Sequence, residues 1–294
     1  MGEAEYKEFK KLVHAGIPAI HRAKIWHECS GAYRRKKPGY YQELIAQHEG
    51  WESVSLSQIE LDLHRTLPNH EFFEENGLGI EKLRRVLVAF SWHNPSVGYC
   101  QGMNLIAAVL LLVQSDEEYA FWTLVCIIEN ILPSDYYTGQ LLVSQADQRV
   151  LKELVKEILP RLDSHFCSLG VDLGAVTFSW FLTIYTDCIP METLLRVWDN
   201  FFVQGVVSLF RVAVALLKTN EQKLLRCQDS GSVYHHLKSM TLEIQEEEKL
   251  IKVAFVTLKP YIKHSVVQSK RDRHICQMKQ EFGILDDATG EHSI

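Results

Sequence analysis

Apolar residues recur along this chain at helical spacing, and glycine, proline or polar capping residues punctuate the runs. Phe9, Leu12 and Val13 share one helical face that Gly16 stops, and Pro18 suits the first turn of a segment carrying Ile20, Ile25 and Trp26. Ser57 with Glu60 reads as a capping box, Leu56, Ile59 and Leu63 form a stripe, and Pro68 ends that helix by restricting Leu67. A loop at Asn76-Gly77-Leu78-Gly79 precedes the stripe Ile80, Leu83, Leu87 and Phe90. Ser115 and Glu118 make a second capping box before Phe121, Trp122, Val125 and Ile128, and Pro133 closes that helix at a lobe boundary.

The second half continues the helical pattern. Val150, Leu151, Leu154, Val155 and Ile158 form a face up to Pro160, Val176 to Leu182 is almost all apolar, and Pro190 opens a segment through Leu194, Leu195 and Trp198. Leu209 to Leu217 reads as a buried helix, and Thr241 to Leu258 and Tyr261 to Phe282 as closing helices before a frayed tail at 286–294. Val171 to Leu173 and Val203 to Val207 are open to a strand reading, but no period-2 pattern with hairpin turns recurs. The fold class expected is all-α, with no fixed-length repeat of the solenoid kind.

One stretch departs from simple amphipathic patterning. Asn94-Pro95-Ser96-Val97-Gly98-Tyr99-Cys100-Gln101-Gly102-Met103-Asn104 is an irregular turn running into the wholly apolar Leu105 to Val113. That run is far short of the ~20 residues that cross a bilayer, so it must be surrounded by protein. Gln101 is therefore a polar side chain held at the mouth of the core, on an approach that Pro95, Gly98 and Gly102 shape.

Composition narrows the function classes. The 294 residues, 47% hydrophobic and 23% charged, suit a folded soluble protein with ample core. A net charge of -6 argues against sequence-independent nucleic-acid binding. Seven cysteines without a CxxC pair or secretory signal read as reduced thiols of a cytoplasmic protein. Neither HExxH nor zinc-finger spacing is present, so no metal is expected; with no phosphate-cradling GxxxxGK[ST] or GxGxxG, neither is a resident cofactor.

Each candidate side chain has an ordinary reading beside a functional one. Arg22 and Trp26, four apart, share a face as a helix surface with one aromatic anchor. Arg34-Arg35-Lys36-Lys37 before Pro38-Gly39 reads as a solvated basic turn. Asp62 and Arg65 could form a plain surface ion pair, with Arg65 in the last helical turn at the negative end of the dipole. Cys100 as a nucleophile with His93 as base is a rival that sequence proximity cannot establish.

In combination these residues resemble the TBC domain, the catalytic module of Rab GTPase-activating proteins. Three motifs stand in order: Gly16-Ile17-Pro18 with Arg22-x-x-x-Trp26; Ile59-x-x-Asp62-x-x-Arg65-Thr66; and Gly98-Tyr99-Cys100-Gln101-Gly102-Met103-Asn104. Phe178-x-Trp180-Phe181 and Arg196-Val197-Trp198-Asp199 resemble the family's later landmarks, so the likeness spans about residues 14–225. The resemblance implies a two-lobed helical domain over 1–285, divided near 133 and 134, with a groove between or beside the lobes.

It also implies a dual-finger mechanism supplied in trans to a GTP-bound Rab GTPase, which carries the GTP and Mg2+. Arg65 would pair with phosphate oxygens and Gln101 would hold the attacking water. Asp62 would hold Arg65 extended, Tyr99 and Trp26 would pack behind the fingers, and Arg22 would brace Asp62 or its loop. Gly98 and Gly102 would let the partner's backbone approach. Recruitment to an endomembrane surface would come through the lipidated GTPase or through domains outside this chain, since no spanning segment is seen. The alternative is a Rab-binding or scaffold module of the same fold without catalysis.

Overall fold

The computed structural model describes residues 2–283 apart from 49, 75–77 and 139. The loop expected at Asn76-Gly77 and the tail at 286–294 lie outside them. Among the described residues every regular element is helical, and 171–173 and 203–207 form turns and helix ends.

In chain order the helices are α1 (Glu3–Ala15), α2 (Ala19–Cys29), α3 (Ala32–Arg35), α4 (Tyr40–Gln47), α5 (Val54–Leu63), α6 (Leu78–His93), α7 (Met103–Val113) and α8 (Glu117–Cys126). The second half adds α9 (Leu142–Ile158), α10 (Pro160–Ser168), α11 (Gly174–Leu182), α12 (Met191–Gln204) and α13 (Val207–Leu224). Then come α14 (Ser230–Leu242), α15 (Glu247–Lys252) and α16 (His264–Phe282), so the segment expected from Thr241 to Leu258 is interrupted.

The apolar run becomes α7, whose Ile106 to Leu111 are buried among α5, α6 and α8. In the second half α13 is buried from Val207 to Leu217, and α9 packs against α10, α11, α13 and α16. A buried ion pair joins α16 to α9: Arg271 donates to Asp147 from Nε at 2.6 Å and from Nη2 at 3.1 Å. The first helix packs on α12, nearly two hundred residues later, and α2 does the same.

Several local expectations shift. The α5 cap is Ser53, whose Oγ accepts from the Leu56 N–H at 3.0 Å, while Glu60 instead receives Arg84 Nε at 2.7 Å and Nη2 at 3.0 Å. The α8 cap is Asp116 rather than Ser115, its Oδ1 accepting from the amides of Glu118 and Tyr119 at 2.9 and 3.2 Å. The basic run is not a solvated turn throughout: Arg35 lies 2.7 Å from Glu129, and Lys36 lies 3.1 Å from Glu118 and over the Tyr119 ring. These pairs tie the end of α3 to α8 and the turn after it, contacts that a charge count along the chain does not reveal.

Three packed histidines give the fold a pH dependence. Burial pulls His14, His27 and His93 below histidine's ordinary 6.5. His14 Nδ1 sits 2.6 Å from Asn200 Oδ1, and the His27 ring stacks on Tyr119 with centroids 4.3 Å apart. The unfolded chain binds protons at these sites more readily than the folded one, so their stabilising contribution is present above about pH 6.5 and is lost as pH falls. The melting temperature is expected to drop between pH 7.5 and 5.5; a level or rising value would contradict this.

Candidate functional site

The end of α5 presents the first candidate group. The helix stops at Leu63, and the Arg65 and Thr66 amides close a tight turn on the carbonyls of Asp62 and Leu63 at 3.2 and 3.1 Å. Leu67, just before Pro68, leaves in the left-handed region with φ 45°, uncommon for a residue with a side chain. Arg65 thus stands two residues past the last helical position rather than within the last turn. Its side chain is 60% exposed, with the guanidinium paired to the buried Asp62 carboxylate. The Tyr99 hydroxyl donates to the other oxygen, Oδ2, at 2.5 Å. Burial, reinforced by that bond, pushes the Tyr99 phenol well above its usual range, so it remains a proton donor.

The Tyr99 turn carries the second candidate. Gly98 and Gly102 adopt φ 59° and 102°, which disfavour any side chain. A Cβ on Gly98 would lie 2.7 Å from Ser55 Oγ, and one on Gly102 3.1 Å from Thr183 Cγ2. Both glycines therefore serve close packing of the chain on itself. Gln101, between them, is exposed immediately before α7.

Thr66 and Asn104 lie within the second and third motifs, which by themselves indicate no role for either. Both are buried. Asn104 Oδ1 accepts the Gly102 N–H at 3.1 Å, and Nδ2 donates to Thr66 Oγ1 at 2.8 Å. The Thr66 hydroxyl donates in turn to the Asp62 carbonyl at 2.7 Å. The signal for Asn104 is a polar residue inside an apolar helix start; Thr66, past the end of α5, carries none.

Arg65 and Gln101 line one open cavity of about 480 Å³, with Leu105, Leu141, Leu182 and Asp187. The far wall comes from the second half, where Ile184 and Tyr185 adopt φ 51° and 66°, an uncommon pair for residues with side chains. Trp198 Nε1 donates to the Ile184 carbonyl at 3.0 Å and the Tyr185 hydroxyl to the Leu209 carbonyl at 2.6 Å. These buried bonds hold the strained turn, which sets Thr183 against Asp187 at 2.6 Å on the cavity side. The cavity is open to solvent and presents the Arg65 guanidinium, the Gln101 carboxamide and the exposed Asp187 carboxylate.

Arg22 and Trp26 do not join this group. Both turn to Asp199, a fully buried carboxylate that accepts from Arg22 Nε and Nη2 at 3.0 and 3.2 Å, Trp26 Nε1 at 2.8 Å and the Ile17 amide at 3.0 Å. Trp26 also packs on Trp198 and Phe202, with centroids 5.4 and 4.9 Å apart. The bracing of Asp62 by Arg22 is thus replaced by a tie between α2 and α12, a partner no local spacing reveals.

The Cys100 and His93 pairing gains no support. Burial pushes the Cys100 thiol up, away from the thiolate a nucleophile needs, and His93 is engaged by the Tyr40 hydroxyl at 2.9 Å and by Glu129 at 3.4 Å. Among the described residues no cluster of three or more His, Cys, Asp or Glu side chains is placed to hold a metal ion, and no helix is long and apolar enough to cross a membrane.

Comparison with known proteins agrees with the motifs. The Rab-GTPase-TBC domain family model matches residues 20–225. TBC1 domain family member 2A of Homo sapiens is 45% identical over 97% of this chain and 31% of its own length. A TBC domain-containing protein of Schizosaccharomyces pombe is 44% identical over 94% of this chain and 36% of its own. The chain thus spans about a third of the length of the curated relatives it matches. Among solved structures, the Chlamydomonas flagellar RabGAP TBC domain superposes with a TM-score of 0.77 at 33% identity, over 85% of this chain and 83% of that one. The Ypt/Rab-GAP domain of Gyp1p has a TM-score of 0.73 over 87% and 93% of the two chains; at 21% identity, that likeness is one of fold.

Proposed function

Since the chain belongs to the Rab-GTPase-TBC domain family, we propose that it accelerates GTP hydrolysis by a GTP-bound Rab GTPase, with Arg65 and Gln101 as the two groups supplied in trans. The observation that carries this reading is the shared cavity: a guanidinium and a carboxamide, both exposed, stand on neighbouring turns whose roots are buried. Water attacks the γ-phosphorus, and charge spreads over the phosphoryl oxygens and the bridge to the leaving diphosphate. A planar guanidinium matches those oxygens with two parallel donors, which an ammonium cannot do. A carboxamide both accepts from and donates to the water, fixing its line of attack. The nucleotide and its Mg2+ belong to the GTPase, and membrane encounter comes through that partner's lipid anchor.

Single-turnover hydrolysis across a panel of GTP-loaded Rabs tests the reading. The wild-type chain is expected to accelerate at least one, and Gln101→Ala to lose about 10²-fold of the effect through a misplaced water. A well-folded chain inactive on every Rab would sink the proposal. Binding without acceleration would leave the non-catalytic module as the better reading.

A further inference from the structure

We propose that Asn104 and Thr66 form a buried latch that keeps the Gln101 turn in register with the Arg65 turn, which makes Asn104 a positioning residue for hydrolysis; this rests on the Rab-directed reading above. Two groups that act on one phosphoryl centre must hold their mutual placement within about 0.5 Å. Arg65 and Gln101 are borne on separate turns, one after α5 and one before α7. Thr66 is the neighbour of Arg65, and the Gly102 amide is the neighbour of Gln101. The Asn104 side chain spans them, with Gly102 N–H to Oδ1 at 3.1 Å and Nδ2–H to Thr66 Oγ1 at 2.8 Å.

The direction of each bond is determined. Thr66 spends its proton on the Asp62 carbonyl, 2.7 Å away, so it must accept from Asn104, and that orients the carboxamide. The relay therefore ends on the backbone of the residue whose carboxylate holds Arg65. Asn104 and Thr66 are 5% and 1% exposed, so water cannot readily replace either partner. Residues 105–113 of the same helix are all apolar, and an apolar side chain at 104 would fill the space without joining two turns 38 residues apart.

The closing experiment compares wild type with Asn104→Ala, Thr66→Val, the double variant and Thr66→Ser. Each is assayed by single-turnover hydrolysis on a responsive GTP-loaded Rab over a range of chain concentrations. Asn104→Ala and Thr66→Val are expected to lower the maximal rate by about 10- to 100-fold, with the half-maximal concentration little changed. The double variant should be no worse than the weaker single one, and Thr66→Ser, which keeps the hydroxyl, should stay near wild type.

Amide hydrogen exchange on the same proteins without any Rab gives a second readout. Asn104→Ala should speed exchange at Arg65 and Thr66 by about tenfold, the loss expected for one buried hydrogen bond. Folded variants with an unchanged maximal rate, additive losses, a Thr66→Ser defect equal to that of Thr66→Val, or undisturbed exchange at Arg65 and Thr66 would overturn the latch. If wild type accelerates no Rab, the Rab reading fails and exchange alone decides the latch.

Discussion

Arg65→Ala is expected to remove about 10³- to 10⁵-fold of GTPase acceleration, or roughly 4–7 kcal/mol of barrier, while the protein stays folded. The two halves of that expectation come from different features. The catalytic loss follows from withdrawing the only charge these two side chains bring to the phosphoryl oxygens. The stability change should be modest, about 1–3 kcal/mol: the Arg65 side chain is 60% exposed and packs little, but the Asp62 carboxylate it leaves behind is 4% exposed and keeps only its bond from Tyr99. Arg65→Lys separates charge from shape: it keeps the cation and loses the fork, and should recover little of the rate. Single-turnover hydrolysis with matched thermal melts decides the matter. Full activity in Arg65→Ala would remove the residue from the mechanism, and a large loss of stability would return Asp62 and Arg65 to an architectural role.

Asp199→Ala should have the largest effect on folding. It leaves the Ile17 amide, the Trp26 indole N–H and the Arg22 guanidinium without the acceptor they share. The Arg22 side chain is only 12% exposed, so its charge is left buried and uncompensated. Breaking such a pair from one side costs about 3–5 kcal/mol, a large share of the ~5–15 kcal/mol that holds a typical domain. Urea or thermal denaturation should register the loss, and Asp199→Asn, which retains an acceptor, should fall between wild type and alanine. A change below about 1 kcal/mol would show that the hydrogen bonds around Asp199 are easily replaced. In contrast to Arg65→Ala, the folded fraction of either Asp199 variant should retain its rate per molecule, since Asp199 lies outside the Arg65 and Gln101 cavity.

What could be read from the sequence followed the range of the interaction. Helical class and the burial of the apolar run come from periodicity and hydrophobicity, which are local; the structure is helical there and buries residues 106–111, while Leu105, Leu112 and Val113 are partly exposed. The pairing of Asp62 with Arg65, three residues apart, was legible for the same reason. The cap of α5 was not: Ser57 and Glu60 satisfy the local pattern, but Glu60 is drawn away by Arg84, which a different helix supplies. Arg22 presented only its neighbour Trp26, and its carboxylate lies 177 positions on. The glycines announced an irregular turn, while the atoms their absent side chains would strike, on Ser55 and Thr183, become known only when other helices are in place.

The reach of Asp199 bears on how the chain is made. Its bond to the Ile17 amide closes a loop of 182 residues. At ribosomal speeds of about 5–20 residues per second, α1 and α2 emerge roughly 10–40 s before the acceptor that fixes them has been synthesised. During that interval the Trp26 indole, wholly covered in the finished protein, lacks the α12 surface that covers it. The opening segment of the chain is thus among the last to be secured, and a nascent chain arrested before α12 would expose a tryptophan and an unpaired arginine to whatever chaperones or proteases wait at the tunnel exit.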